Sequence, residues 1–133
     1  MKAPIFIDTG YVLALVNTRD DHHAAASQAA SLVQPPFLTT EAVLVEIGNA
    51  LSQARWRKLG FQTINDLRTD PTIEVVPVDT ALFDRALALF GQRSDKDWGL
   101  TDCISFVVMQ ERGSSDVLTT DHHFSQAGFR RLL

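Results

Sequence analysis

Ile5-Phe6-Ile7-Asp8-Thr9-Gly10 decides how this chain reads. Three apolar strand formers are followed by an acid, a hydroxyl residue and a glycine that end the strand. Tyr11 to Val16 comes next, apolar and long enough for two buried helical turns, so the opening unit is a strand and then a helix. The alternation continues outward from there. Asp20-Asp21 offer N-caps for an alanine-rich helix from His22 to Val33, which Pro35-Pro36 stops. Phe37-Leu38-Thr39 predicts a second strand. Thr40 is placed to cap a long helix from Glu41 to about Lys58, with Gly60 as its stop. In that helix Val43, Ile47, Ala50, Leu51 and Ala54 fall on one stripe.

Phe61 to Arg68 predicts a further short helix, and Ile73 to Val78 a third strand. Asp79-Thr80 open a helix whose stripe is Leu82, Phe83, Ala86, Leu87 and Phe90. The polar stretch Gly91 to Gly99 reads as a surface loop. Thr101 is placed to cap a helix from Asp102 to Glu111, ended by Gly113. Val117-Leu118-Thr119 is a fourth strand, Phe124 to Ala127 a last helical turn, and Phe129 to Leu132 a weak fifth strand. Short strands, apolar throughout and alternating with helices, indicate a mostly parallel sheet covered on both faces. The expected fold class is therefore α/β, three layers around four to five strands, in a single domain over residues 1–133.

Composition narrows the functions. A 133-residue chain with 45% hydrophobic and 21% charged residues is a globular domain, not a disordered one. No apolar run approaches the ~20 residues of a membrane helix, and Met1 to Asp8 lacks the apolar core of a signal peptide. The single cysteine, Cys103, excludes an internal disulfide and a Cys-built zinc site, and points to a cytoplasmic protein. Twelve basic against sixteen acidic residues give a net charge of −4, which argues against an electrostatic nucleic-acid coat. Nucleic acid handled at a small, metal-neutralised site stays compatible with that charge. A dinucleotide-binding glycine motif, a P-loop and a hydrolase elbow are all absent, and Gly10 spoils the D-x-D start of an aspartyl-phosphate phosphatase.

Four acids gather at one edge of such a sheet. Asp8 follows the first strand and Asp121 the fourth, while Glu46 and Asp102 lie near the starts of helices. Ligands of parallel sheets bind beyond the carboxyl ends of the strands. Each acid alone has a plain alternative as a helix cap, a first-turn acid, a turn residue or a solvated helix residue. Together on one rim they repel unless a cation lies among them. Oxygen donors without a cysteine or histidine cluster select a hard cation, Mg²⁺ or Mn²⁺. Such a cation suits phosphodiester hydrolysis.

The residues resemble a known family at this point. Ile5-Phe6-Ile7-Asp8-Thr9 is similar to the opening strand and first acid of PIN-domain ribonucleases. Thr40-Glu41-Ala42-Val43-Leu44-Val45-Glu46 resembles their second block, Leu100-Thr101-Asp102-Cys103-Ile104-Ser105-Phe106 the third, and Leu118-Thr119-Thr120-Asp121-His122-His123-Phe124 the fourth. Gly128-Phe129-Arg130-Arg131-Leu132 fits the family's ending, and the length is similar to that of VapC-type toxins of toxin–antitoxin pairs. The resemblance implies a three-layer α/β/α fold and Mg²⁺-dependent cleavage of RNA by a metal-activated water. It also implies a small antitoxin partner and a homodimer. Asp8 and Asp102 match the main metal-binding acids, and Glu46 and Asp121 the other two positions of the catalytic quartet.

Other residues carry weaker expectations. Thr9 and Thr119 flank the acids and are placed to orient carboxylates or phosphate. His22-His23 and His122-His123 read as capping or surface residues, since neighbours on a helix point about 100° apart and chelate one metal poorly. Only His123, two residues after Asp121, has a path to the rim. Asp97 reads as a loop acid and Asn49 as helix surface. Arg55, Arg57 and Lys58 form a basic cluster at a predicted helix C-terminus, favoured by the dipole and able to grip RNA backbone. Two competing functions are a phosphoacceptor receiver, disfavoured by the missing lysine after the fourth strand, and a non-catalytic binding module on the same scaffold.

Overall fold

The computed structural model describes residues 2–133. The elements are β1 (Ile5–Ile7), α1 (Thr9–Val16), α2 (His23–Leu32), β2 (Phe37–Thr40), α3 (Glu41–Ala50), α4 (Ala54–Thr69), β3 (Ile73–Val76), α5 (Thr80–Gln92), α6 (Leu100–Glu111), β4 (Asp116–Leu118), α7 (His123–Gln126) and β5 (Arg130–Arg131). All four strand pairings are parallel, and the sheet order is β3-β2-β1-β4-β5. Phe6 pairs with Leu38 on one side and Val117 on the other, which makes β1 the centre of the sheet.

Alternation along β1 feeds two cores. Phe6 turns to the face of α6 and α7, where its ring lies 6.2 Å from Phe124, and Phe106 meets Phe124 edge-on at 5.0 Å. Ile7 turns to the opposite face and shares a cleft with Tyr11, Val12, Ala30 and Leu67 of α1, α2 and α4. Right-handed crossovers explain the split. The chain moves from β1 toward β3 through helices on one face, then crosses back to β4 through helices on the other. The result is the expected three-layer α/β fold.

Four expectations need correction. The long helix from Glu41 is two helices, broken at Leu51–Gln53 where the Ser52 hydroxyl donates to the Asn49 carbonyl at 2.9 Å. Gly60 does not stop a helix; it lies inside α4, where a Cβ would sit 3.0 Å from Leu51 Cβ, so glycine lets α4 fold back against the end of α3. Helix α6 starts two residues early, at Leu100 with Gly99 as N-cap, so Thr101 is not the cap. Helix α2 is N-capped by His22, and Asp20 instead accepts the His22 N–H at 2.8 Å in the preceding turn.

Strand β3 ends at Val76, two residues short of the expected boundary. In α5 the apolar stripe divides: Leu82 and Ala86 are buried, but Phe83, Leu87 and Phe90 are 41%, 48% and 47% exposed. Thr40 caps α3 as expected, accepting the Val43 N–H at 3.3 Å.

Candidate metal centre

The strand order reverses between β1 and β4, because the chain leaves β1 toward β2 and reaches β5 from β4. Crevices at such a reversal, beyond the carboxyl ends of the strands, are where α/β sheets bind ligands. Asp8 lies there, its N–H donating to Leu118 O at 3.1 Å as the two strands end. Although Asp8 is the N-cap of α1, its side chain makes no capping bond. Its carboxylate turns across the sheet instead, where Oδ2 accepts the Thr119 hydroxyl at 2.7 Å. Gly10 is required beside it, since a Cβ there would lie 2.6 Å from Thr120 Oγ1.

Each of the other acids is delivered by a separate element. Glu46, exposed in the second turn of α3, accepts the Thr9 hydroxyl at 2.6 Å through Oε1, which ties α3 to the start of α1. Asp102, in the first turn of α6, accepts the Gly99 N–H at 3.0 Å and faces His123 Nδ1 at 3.2 Å. Asp121 donates its N–H to Thr119 Oγ1 at 3.0 Å and accepts the His123 N–H at 2.9 Å. Thr119, fully buried, thus joins the first and fourth acids through one hydroxyl. The plain readings of Asp102 as a helix-entry acid and Asp121 as a turn residue hold in part, because both make those local bonds as well.

The electrostatics are those of a site short of positive charge. Burial pushes the Asp8 carboxyl, only 6% exposed, up to about 7; the bonds from Thr119 and Thr9 oppose the shift, and the charges of Asp102 and Glu46 add to it. Asp102 is raised as well, first by burial, with Asp121 adding to the shift and Gly99 and His123 opposing it. The acids therefore form a line of neighbours, Glu46–Asp8–Asp102–Asp121. Among the described residues every lysine or arginine ion pair lies elsewhere: Arg85–Glu111, Arg93–Asp95, Arg112–Glu74 and Arg130–Asp116. A rim of carboxylate oxygens without a paired lysine or arginine is a donor set that fits a hard divalent ion.

His123 and the basic cluster stand differently from expectation, whereas Asp79 opens α5 as expected. His123 is part of the cluster, because the Asp121 carboxylate bends the chain and brings the imidazole back over Asp102. An acid followed two residues later by histidine was the signal for it. Arg55, Arg57 and Lys58 occupy the start of α4, not a helix end, so the dipole argument for them fails. Asp79, the acid nearest a receiver's acceptor position, caps α5 by accepting the Leu82 N–H at 2.8 Å. Asp97 and Asn49 are exposed, as expected.

An α/β sheet with this reversal, and four acids meeting across it, belongs to a family that known proteins identify. The PIN domain family model matches residues 5–130, and the chain belongs to that family. It is 26% identical over 125 residues to the 23S rRNA-specific endonuclease VapC20 of Mycobacterium tuberculosis, covering 94% of this chain and 95% of that one. The crystal structure of that VapC20, described as a sarcin–ricin loop cleaving toxin, superposes with a TM-score of 0.87 at 26% identity over 94% and 95% of the two chains. In sequence and in fold the chain is thus similar to a VapC toxin. VapBC2 from Rickettsia felis, solved bound to a promoter DNA fragment, shares the fold with a TM-score of 0.66 at 10% identity and 96% coverage of both chains. A toxin–antitoxin complex from Klebsiella pneumoniae does so with a TM-score of 0.61 at 15% identity, covering 89% of this chain and 87% of that one.

Proposed function

We propose that this chain is an Mg²⁺-dependent endoribonuclease, the toxin of a toxin–antitoxin pair, acting in the cytoplasm as a single domain and as a homodimer. The observation that carries the reading is Asp8: a carboxyl buried at the sheet reversal, facing Asp102 and Glu46, with a hydroxyl as its side-chain partner. Isolated structural acids are not buried beside other acids without a cation to offset them. The family match and the likeness to VapC20 support ribonuclease chemistry, and the toxin–antitoxin complexes among its structural neighbours support an antitoxin partner.

In this reading Asp8 and Asp102 hold the cation, with Mn²⁺ as a substitute for Mg²⁺. A cation held by these two carboxylates would supply Lewis-acid chemistry, polarising a phosphate and lowering the pKa of water. Glu46 and Asp121 orient water on either side, and Thr9 and Thr119 hold the carboxylates in place through their hydroxyls. The catalytic set is therefore Asp8, Glu46, Asp102 and Asp121.

The test is cleavage of purified 23S rRNA, the substrate named for VapC20, by metal-stripped protein. Mg²⁺ should restore cutting and EDTA should abolish it. Asp8→Asn should lower the rate at least ~10²-fold. Full cutting in EDTA, or by Asp8→Asn, overturns the reading.

A further inference from the structure

At one end of the acidic rim lies a mixed cluster whose two histidines the proposed chemistry leaves unused. Asp121, His122 and His123 present one donor atom each within 4.8 Å of one another. His123 Nδ1 stands 3.3 Å from Asp121 Oδ1 and 3.2 Å from Asp102 Oδ2, and His122 Nδ1 stands 3.8 Å from the same Asp121 oxygen. The objection that adjacent histidines splay apart fails here. His122 is the N-cap of α7, outside the helix, and its ring lies 4.5 Å from that of His123.

Those separations have a meaning for a tetrahedral ion. Zinc–nitrogen and zinc–oxygen bonds of about 2.0–2.1 Å place neighbouring donors about 3.4 Å apart. Two of the three measured distances match that edge, and the third exceeds it by an amount that a small rotation of the His122 ring closes. His122 is 69% exposed and gives an ion a way in, while His123 and Asp102, at 20% and 17%, supply a fixed base. Two imidazoles and two carboxylates are the donor set of a borderline cation rather than of Mg²⁺, which prefers oxygen in octahedral geometry.

We infer that Asp121, His122 and His123, with Asp102 as the fourth donor, form a second cation site for Zn²⁺ or a similar borderline divalent ion. A cation there lies among His123 Nδ1 and the Asp102 and Asp121 carboxylates that face it. It also draws the Asp102 carboxylate away from Asp8, so Zn²⁺ acts as an inhibitor. That regulatory half rests on the nuclease reading given above, whereas the site itself does not.

The probe is Co²⁺, whose visible absorption reports tetrahedral coordination, followed by displacement with Zn²⁺. The intact chain should bind Co²⁺ with tetrahedral bands, and His122→Ala should weaken binding at least ~10-fold. Asp8→Asn, which removes the inner oxygen site, should keep the bands. Zn²⁺ should inhibit Mg²⁺-supported cleavage, and the concentration for half inhibition should rise at least tenfold in His122→Ala. Equal Co²⁺ binding by the intact chain and His122→Ala, or loss of the bands in Asp8→Asn alone, overturns the site. A chain that binds Co²⁺ through His122 yet cuts no RNA upholds the site and overturns the nuclease reading.

Discussion

Asp8 carries a thermodynamic signature that separates a site acid from a cap. Its carboxyl is pushed up to about 7 from an ordinary 3.8, chiefly by burial. Between those values the folded chain keeps a proton that the unfolded chain has released. Stability is therefore full below about pH 4 and falls as pH rises toward 7, by an amount on the order of 4 kcal/mol in metal-free protein. Asp102 is raised in the same direction and steepens the slope. Asp8→Asn keeps an acceptor for Thr119 and removes the Asp8 share. In EDTA the variant should be more stable than the parent at pH 7, with the advantage shrinking toward pH 4. Urea unfolding across that range is the check, and a variant less stable at pH 7 would make Asp8 a structural residue. Thr119→Val should cost about 1–3 kcal/mol, because the Asp8 carboxylate and the Asp121 N–H lose their shared partner. It should also push the Asp8 carboxyl higher still, visible by NMR titration.

The helical hairpin of α3 and α4 makes its own prediction. Glycine to alanine inside a helix normally stabilises by about 1 kcal/mol. At Gly60 the added methyl would meet Leu51 Cβ at 3.0 Å and Leu51 O at 3.3 Å. Gly60→Ala should therefore be neutral or destabilising in chemical denaturation, and a full helix-propensity gain would refute the close approach. The same hairpin marks where the sequence was hard to read. Ala50 and Ala54 fitted the apolar stripe, yet both are exposed, because alanine is tolerated equally inside and outside a helix. With a glycine available downstream, one long helix and two short ones fit the pattern alike. Strand and helix order were legible, since runs such as Ile5-Phe6-Ile7 and Ile73 to Val76 have few other conformations. The four acids were legible because strand ends place them on one rim whatever the helix boundaries. His123 was legible only in part: its place two residues after Asp121 pointed to the rim, but the turn held by the Asp121 carboxylate does not show in helical spacing.

For the whole molecule, a divalent cation should act as a stabiliser as well as a cofactor. Binding to the folded chain alone adds about 2.7 kcal/mol at a hundredfold excess over Kd. Mg²⁺ should raise the thermal midpoint of the parent and much less that of Asp8→Asn; equal shifts would show that the ion binds elsewhere. The contact between Thr119 and Asp8 spans 111 residues, and the one between Ser114 and Pro4 spans 110. Both depend on β4 lying beside β1, a strand that the chain delivers late. On the ribosome, a growing chain holds Asp8 and Glu46 long before Asp102 and Asp121 have left the exit tunnel. On the proposed nuclease reading, a chain built in this order cannot cut RNA before its fourth acid has emerged. On that reading cutting waits for the late strand, which gives the proposed antitoxin the time of synthesis in which to arrive.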